Sequence, residues 1–309
     1  MQTLGDVSPL HGIRVVSLAL NVPGPAAAAR LRRLGAAVTK VEPPDGDPLA
    51  RVCPAWYAEL CAGQDVVRLD LKDAAGRASL DGLLEEADVL LTSSRPAALA
   101  RLGLSWPLLH VRFPRLVQVA IVGHAAPHQH VPGHDLTYLA STGLLSPPQV
   151  PRTLLADLAG AEQAVSTALA LLYARERGHG TGCVEVALAD VAAAFAAPLR
   201  HGLTAADGSL GGGFAGYGLY RAREGWIAVA ALEPHFWRRL TEELEASNAQ
   251  DLARVFLTQT AQYWEAWGAA RDVPLAAVQD CPGPSLRGRS PREAGGLVAG
   301  DERTSPWTA

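Results

Sequence analysis

The first clear pattern along the chain is a β-branched, apolar run, Ile13-Arg14-Val15-Val16-Ser17-Leu18-Ala19-Leu20, which predicts a buried strand. Asn21-Val22-Pro23-Gly24-Pro25 punctuates it as a turn. Ala26 to Leu34 is good helix-forming sequence stopped by Gly35, and Ala37 to Val41 is a second strand with Glu42 at its end. Strand, helix and strand at this spacing make a βαβ unit, whose parallel crossover predicts a doubly wound sheet. The alternation continues. Val66 to Leu71, Asp88 to Thr92 and Leu116 to Val122 read as strands, with a helix over Ala74 to Glu86. A long Ala/Leu helix is expected from about Leu158 to Arg177, ended by Gly178 and Gly180. Cys183 to Leu188 is a further strand and Ala189 to Ala197 a helix ended by Pro198.

Beyond Pro198 the pattern changes. Gly208 to Gly218 is glycine-rich, Trp226 to Ala230 reads as a strand, and Pro234 to Glu245 as a helix. The expectation is an α/β protein: a Rossmann-like doubly wound large domain over 1–198 and a smaller α+β domain over 199–280. Residues 281–309, rich in Gly, Pro, Ser and Arg without periodicity, are expected to form a loose tail.

Composition narrows the function classes. With 309 residues, 49% hydrophobic and 19% charged, the chain can bury a substantial core. Its net charge of −4 and lack of any Lys/Arg run leave nothing to meet a polyanion, so a nucleic-acid partner is not expected. Cys53, Cys61, Cys183 and Cys281 form no CxxC pair, which disfavours a zinc ribbon, a thioredoxin site and a disulfide framework. Met1 to His11 carries acid and no apolar run, unlike a signal peptide. The apolar stretches are interrupted by Arg, Asp or Pro before twenty residues, so no membrane span is expected and the cytoplasm is the default setting.

Among candidate chemistries, the first βαβ unit invites a dinucleotide reading with Glu42 on the ribose. Its turn, however, holds only Gly24 and lacks the glycine spacing that lets a pyrophosphate reach the helix. Gly211, Gly213 and Gly216 spell a formal GxGxxG, but no strand precedes it and no clear helix follows. NAD binding is rejected. His124, His128, His130 and His134 cluster before Asp135, and His128-Gln129-His130 mimics the HxH of metal hydrolases. In a Pro/Gly loop the ordinary reading is solvated histidines, and no metal residue is assigned. Asp157, in Leu154-Leu155-Ala156-Asp157-Leu158, reads first as a helix N-cap. A competing reading is that a carboxylate and free N–H groups in one apolar corner suit enolate chemistry. Glu233 alone reads as an exposed acid before Pro234.

Taken together, several segments resemble the family III CoA-transferase and α-methylacyl-CoA racemase family. Leu10-His11-Gly12-Ile13-Arg14-Val15-Val16-Ser17-Leu18 with Gly24-Pro25 is similar to its opening strand and turn. Leu34 to Pro44 with Asp47-Pro48-Leu49 matches "LGAxVxKVEPPxGDPL". Leu69-Asp70-Leu71-Lys72, and Arg95-Pro96 with Arg101-Leu102-Gly103-Leu104, match two further blocks. Gly133-His134-Asp135-Leu136-Thr137-Tyr138-Leu139-Ala140 resembles the "GHDxxYLA" of the racemase branch; Asp157 stands in "LLAD" and Glu233 in "xEPxF". The likeness covers roughly residues 10 to 280.

This resemblance implies an enzyme of acyl-CoA substrates with no cofactor beyond coenzyme A as part of the substrate. It implies His134 and Asp157 as acid–base groups, with Asp135 beside them. Glu233 would support the histidine from the small domain, Arg95 and Arg101 would meet the nucleotide end of coenzyme A, and the Asn21-Val22 backbone would lie against it. A base on one face of the α-carbon and an acid on the other would make it a racemase or epimerase. In the transferase branch the Asp157 position is instead a nucleophile that moves CoA to a carboxylate. The histidine, absent from many transferases, tilts the expectation to proton transfer. A metal-dependent hydrolase and an inactive CoA-binding module are the readings from other classes.

Two departures stand out. Cys61-Ala62-Gly63-Gln64-Asp65 replaces the family's basic Asn-Arg-Gly-Lys-Arg. The closing segment that in the family returns to the large domain stops short after Asp272-Val273-Pro274-Leu275, so the expected homodimer, with its site between domains, would be incompletely interlocked.

Overall fold

In the computed structural model, residues 8–279 are described, and they divide into two units, 8–196 and 197–279. The predicted tail over 281–309 lies outside the described residues.

The first unit carries six strands in one all-parallel sheet. In chain order its elements are β1 (Arg14–Ser17), α1 (Pro23–Arg33), β2 (Ala37–Glu42), α2 (Pro48–Val52) and α3 (Pro54–Cys61). There follow β3 (Asp65–Arg68), α4 (Ala74–Glu85), β4 (Val89–Thr92), α5 (Pro96–Arg101), α6 (Trp106–Arg112) and β5 (Val117–Val122). The unit closes with α7 (Asp135–Ala140), α8 (Leu155–Glu176), β6 (Cys183–Ala187) and α9 (Leu188–Phe195). The strand order is β3-β2-β1-β4-β5-β6. Central β1 pairs Val15 with Val38 on one side and with Val89 on the other, both in parallel. The doubly wound α/β expectation is met.

Both faces of this sheet are covered, which is why every residue of β4 and β5 is buried and neither strand alternates. Val15, Val38, Leu91 and Val119 pack on one side with Ala27 and Leu31 of α1 and with Ala161, Ala164, Val165 and Ala168 of α8. Val16, Val41 and Leu90 pack on the other side with Leu80 and Leu84 of α4, Leu99 of α5 and Leu109 of α6. Each fully buried Val or Leu side chain among these contributes about 1.5–3 kcal/mol.

The long helix α8 begins three residues earlier than the sequence suggests. Its N-cap is Leu154, with no side-chain cap, so Asp157 is not the cap but the third helical residue. By length and composition this helix alone among the described helices could cross a membrane, a candidate the sequence reading did not raise. Here its Ala/Gly stripe instead enters the core. Gly160 lets the helix sit close, because a Cβ there would stand 2.3 Å from Leu188 Cδ2 and that side chain would have to shift. The far end of α8 is held too. Arg175, its side chain 8% exposed, pairs with Asp88 at 2.9 Å and donates to the Arg115 carbonyl at 2.9 Å. The same Asp88 accepts the Arg14 N–H of β1 at 2.9 Å.

The second unit comprises α10 (Ala197–Arg200), β7 (Tyr217–Arg221), β8 (Trp226–Ala230), α11 (Pro234–Leu244), α12 (Ala249–Phe256), α13 (Ala261–Ala270) and β9 (Leu275–Ala277). Its three strands form an antiparallel sheet in the order β7-β8-β9. Tyr220, Phe256, Trp264 and Trp267 build an aromatic core, and Trp264 Nε1 donates to the Phe256 carbonyl at 2.9 Å. The residues where the family resemblance suggested a truncated return, Leu275 onward, form β9.

Candidate active site

The strand order reverses between β1 and β4, so the turns leaving their carboxyl ends diverge and open a crevice. Leu20 and Asn21 after β1, Ser93 and Arg95 after β4, and Val122 and Gly123 at β5 line a cleft of about 210 Å³ there. His134, Tyr138, Asp157 and Leu188 complete its wall. The β1–α1 turn is pinned from both flanks. Leu20 N–H donates to Ser93 Oγ at 2.9 Å, and Asn21 N–H to Asp47 Oδ1 at 3.1 Å. Asn21 sits at φ 67°, a left-handed conformation that asparagine tolerates better than a branched residue.

Asp157 is the perturbed group of this cleft. Burial, and after it the negative charge of Asp135, raise its carboxyl pKa to about 7. The helix N-terminus favours the anion, but desolvation outweighs it. Asp135, 5% exposed, turns Oδ1 to the Asp157 N–H at 3.1 Å and so supplies the cap that Leu154 cannot. The backbone donor that the sequence reading left free for an enolate oxygen is therefore already taken. His134 is the N-cap of α7. Thr137 Oγ1 accepts from its N–H at 3.0 Å and donates to its carbonyl at 2.8 Å, fixing the backbone while the residue stays exposed.

Tyr138, inside the "GHDxxYLA" segment, is buried, and burial, then the charge of Asp157, push its phenol up. Its ring explains two glycines. A Cβ at Gly133 would lie 2.4 Å from the ring, and one at Gly123 would lie 2.5 Å from the hydroxyl oxygen.

The other nominated residues are distributed as follows. Val22 is buried as the N-cap of α1 and does not line the cleft. Arg95 does line it, whereas Arg101 borders a separate depression with Lys72 and Arg77. Glu233 is the exposed N-cap of α11, in the second unit. Among the described residues, no three His, Cys, Asp or Glu side chains converge as a metal set, the loop histidines included. Asn21, Arg95, His134 and Asp157 thus share one cleft, with Asp135 beneath.

Sequence reasoning missed a buried charge cluster behind the cleft. Lys40 Nζ, fully buried, lies 2.9 Å from Glu42 Oε1 and 2.7 Å from Asp47 Oδ2. Tyr57 donates its hydroxyl to Glu42 at 2.6 Å. Burial alone would raise the Glu42 pKa, but Tyr57 and Lys40 outweigh it and hold the carboxyl below its ordinary range. Glu42 therefore serves Lys40 and not a ribose. The i, i+2 spacing of Lys40 and Glu42 on one strand was the available signal.

Comparison with known proteins bears on this arrangement. The chain is 30% identical over 274 residues to a Mycobacterium tuberculosis protein named probable fatty acyl-CoA transferase, covering 78% of this chain and 70% of that one. It is 31% identical over 253 residues to human alpha-methylacyl-CoA racemase, covering 76% and 64%. A crystal structure of the M. tuberculosis hypothetical protein Rv3272 superposes with a TM-score of 0.78 at 26% identity, covering 88% of this chain and 84% of that one. The CoA-transferase family III model matches residues 10–304, nearly the whole sequence, and with the parallel sheet and the carboxylate at its switch point this makes the chain a member of CoA-transferase family III.

Proposed function

We propose that this chain acts as an α-methylacyl-CoA racemase- or epimerase-like enzyme, moving a proton at the carbon α to a thioester. The observation that carries this reading is Asp157, with a pKa of about 7, in one cleft with His134. An acid–base group works best when its pKa lies near the working pH. One of the pair removes the α-proton and the other returns it from the opposite face. Arg95 in the cleft, and Arg101 with Lys72 and Arg77 in the depression nearby, offer positive charge to the phosphates of coenzyme A. A homodimer in the cytoplasm belongs to the same reading.

A second reading is CoA transfer to a carboxylate: the Asp157 carboxylate attacks the thioester and releases CoA thiolate to give an acyl anhydride, the thiolate re-attacks the aspartyl carbonyl and frees the donor acid, and the acceptor carboxylate then takes CoA from the aspartyl thioester and regenerates Asp157. The transferase name of the mycobacterial relative favours it. Incubation with acyl-CoAs in deuterated water separates the two. A racemase washes deuterium into the α-position without any acceptor, and His134→Ala abolishes this, with a loss of about 10²–10⁴ in rate. Transfer to an added carboxylate with no exchange overturns the proton-transfer reading. Coenzyme A binding without either reaction marks an inactive module.

A further inference from the structure

We infer that Asp47, clamped by Lys40, is a positioning residue for the cleft. This inference rests on the acyl-CoA reading above. Asp47 is 1% exposed, and each of its oxygens has its own work. Oδ2 receives Lys40 Nζ at 2.7 Å, while Oδ1 accepts the N–H groups of Leu49 at 2.9 Å and Asn21 at 3.1 Å. The first of those donors makes Asp47 the N-cap of α2. The second reaches 26 residues back to the turn that forms the cleft wall.

The clamp determines which way Asp47 faces. Its side chain has little rotational freedom while Lys40 is held between it and Glu42, and Glu42 is itself fixed by Tyr57. Asn21 needs such a hold. At φ 67° its backbone is in a sparsely populated region, and such conformations persist only where surrounding contacts impose them. Ser93 secures the neighbouring Leu20 N–H from the opposite side. Releasing Asp47 frees one flank of the turn and moves the wall against which the thioester is held, and small misplacements of this kind lower turnover more than binding.

Amide hydrogen exchange at Asn21 and steady-state kinetics, measured on the same variants, test this. Losing one ordinary hydrogen bond corresponds to about a tenfold change. Asp47→Ala is expected to raise Asn21 exchange about tenfold and to lower kcat by a similar factor, with KM little changed. Asp47→Asn keeps an oxygen for the two backbone N–H groups but turns its amide nitrogen to Lys40 Nζ, so it too loses the clamp and should move both readouts in the same direction, less far. Lys40→Gln, which leaves Asp47 intact but unclamped, should move both readouts in the same direction as Asp47→Ala. It keeps the inference open to refutation if Asp47→Ala does not fold. Unchanged Asn21 exchange in Asp47→Ala or Lys40→Gln overturns the tether. Raised exchange with unchanged kcat overturns the positioning role. A parent protein that turns over no acyl-CoA refutes the functional reading alone, and Asn21 exchange then still decides the tether.

Discussion

Replacing Asp157 by asparagine is expected to abolish turnover and, above neutral pH, to make the folded chain more stable. The carboxyl ionises near 3.8 when unfolded and at about 7 in the fold. Between these values the native state holds a proton that the unfolded chain releases, so stability falls as pH rises through the window, by up to about 1.4 kcal/mol per pH unit. Above pH 7 the whole penalty is present. The rise from 3.8 to about 7 corresponds to about 4 kcal/mol, and partial solvent screening of a half-buried carboxyl reduces the expectation to about 2–4 kcal/mol. Asparagine cannot ionise and keeps nearly the same shape. The gap in unfolding free energy between variant and parent should therefore widen from pH 5.5 to 7 and level off by pH 8.5. Urea unfolding followed by circular dichroism at these three values reads it. A gap that does not change with pH would refute the buried-carboxylate argument, and a variant that still turns over acyl-CoA would refute the role.

Asp135→Asn keeps an acceptor for the Asp157 N–H but removes the neighbouring charge, so the Asp157 pKa should fall. The rising limb of the kcat/KM pH profile should then move to lower pH; an unmoved limb would mean that the charge of Asp135 is not felt. Lys40→Met leaves Glu42 and Asp47 buried without their cation and should destabilise the fold by about 3–5 kcal/mol in urea titrations. A loss below about 1 kcal/mol, the range of a surface pair, would show that the cluster is hydrated in solution. Gly133→Ala drives a methyl into the Tyr138 ring and should lower both the melting temperature and turnover, whereas Gly103→Ala, with open space around it but a positive φ, should affect the melting temperature alone.

What was legible in the sequence follows from how local each signal is. Val15, Val16, Val38 and Val41 announce strands because a sheet buried on both faces requires continuous apolar residues, and the βαβ alternation then fixes the parallel topology. The helices α2 and α3 went unread because Pro48 and Pro54 look like turn residues, although each stands in the first turn of its helix, where a missing N–H matters least. The start of α8 was misplaced for a different reason. Capping rules assume that a helix is capped by its own sequence, whereas Asp135 caps this one from another segment. Local sequence makes Asp157 a helix cap first and an enolate-chemistry candidate second, and His134 a loop histidine, so the family resemblance is what pairs them. Their shared cleft depends on chain segments 23 residues apart meeting at the carboxyl ends of the central strands. The burial of Lys40 was equally hidden, since nothing in Ala37 to Glu42 shows that both of its partners go inside with it.

Asp157 and Arg175 are eighteen residues apart in α8, which at 3.6 residues per turn is five whole turns, so both project from the same side of the rod. One end is fastened through Asp135 and the other through Asp88. The helix thereby works as a ruler of fixed length and phase between the top of the sheet and its base. Adding or removing one residue anywhere between the two fastenings would displace one end by about 1.5 Å and turn it by about 100° relative to the other. Substitutions along the exposed side of α8 leave that measure intact. A single insertion would swing the Asp157 carboxylate away from its cleft while the core and the anchors at the base remained in place.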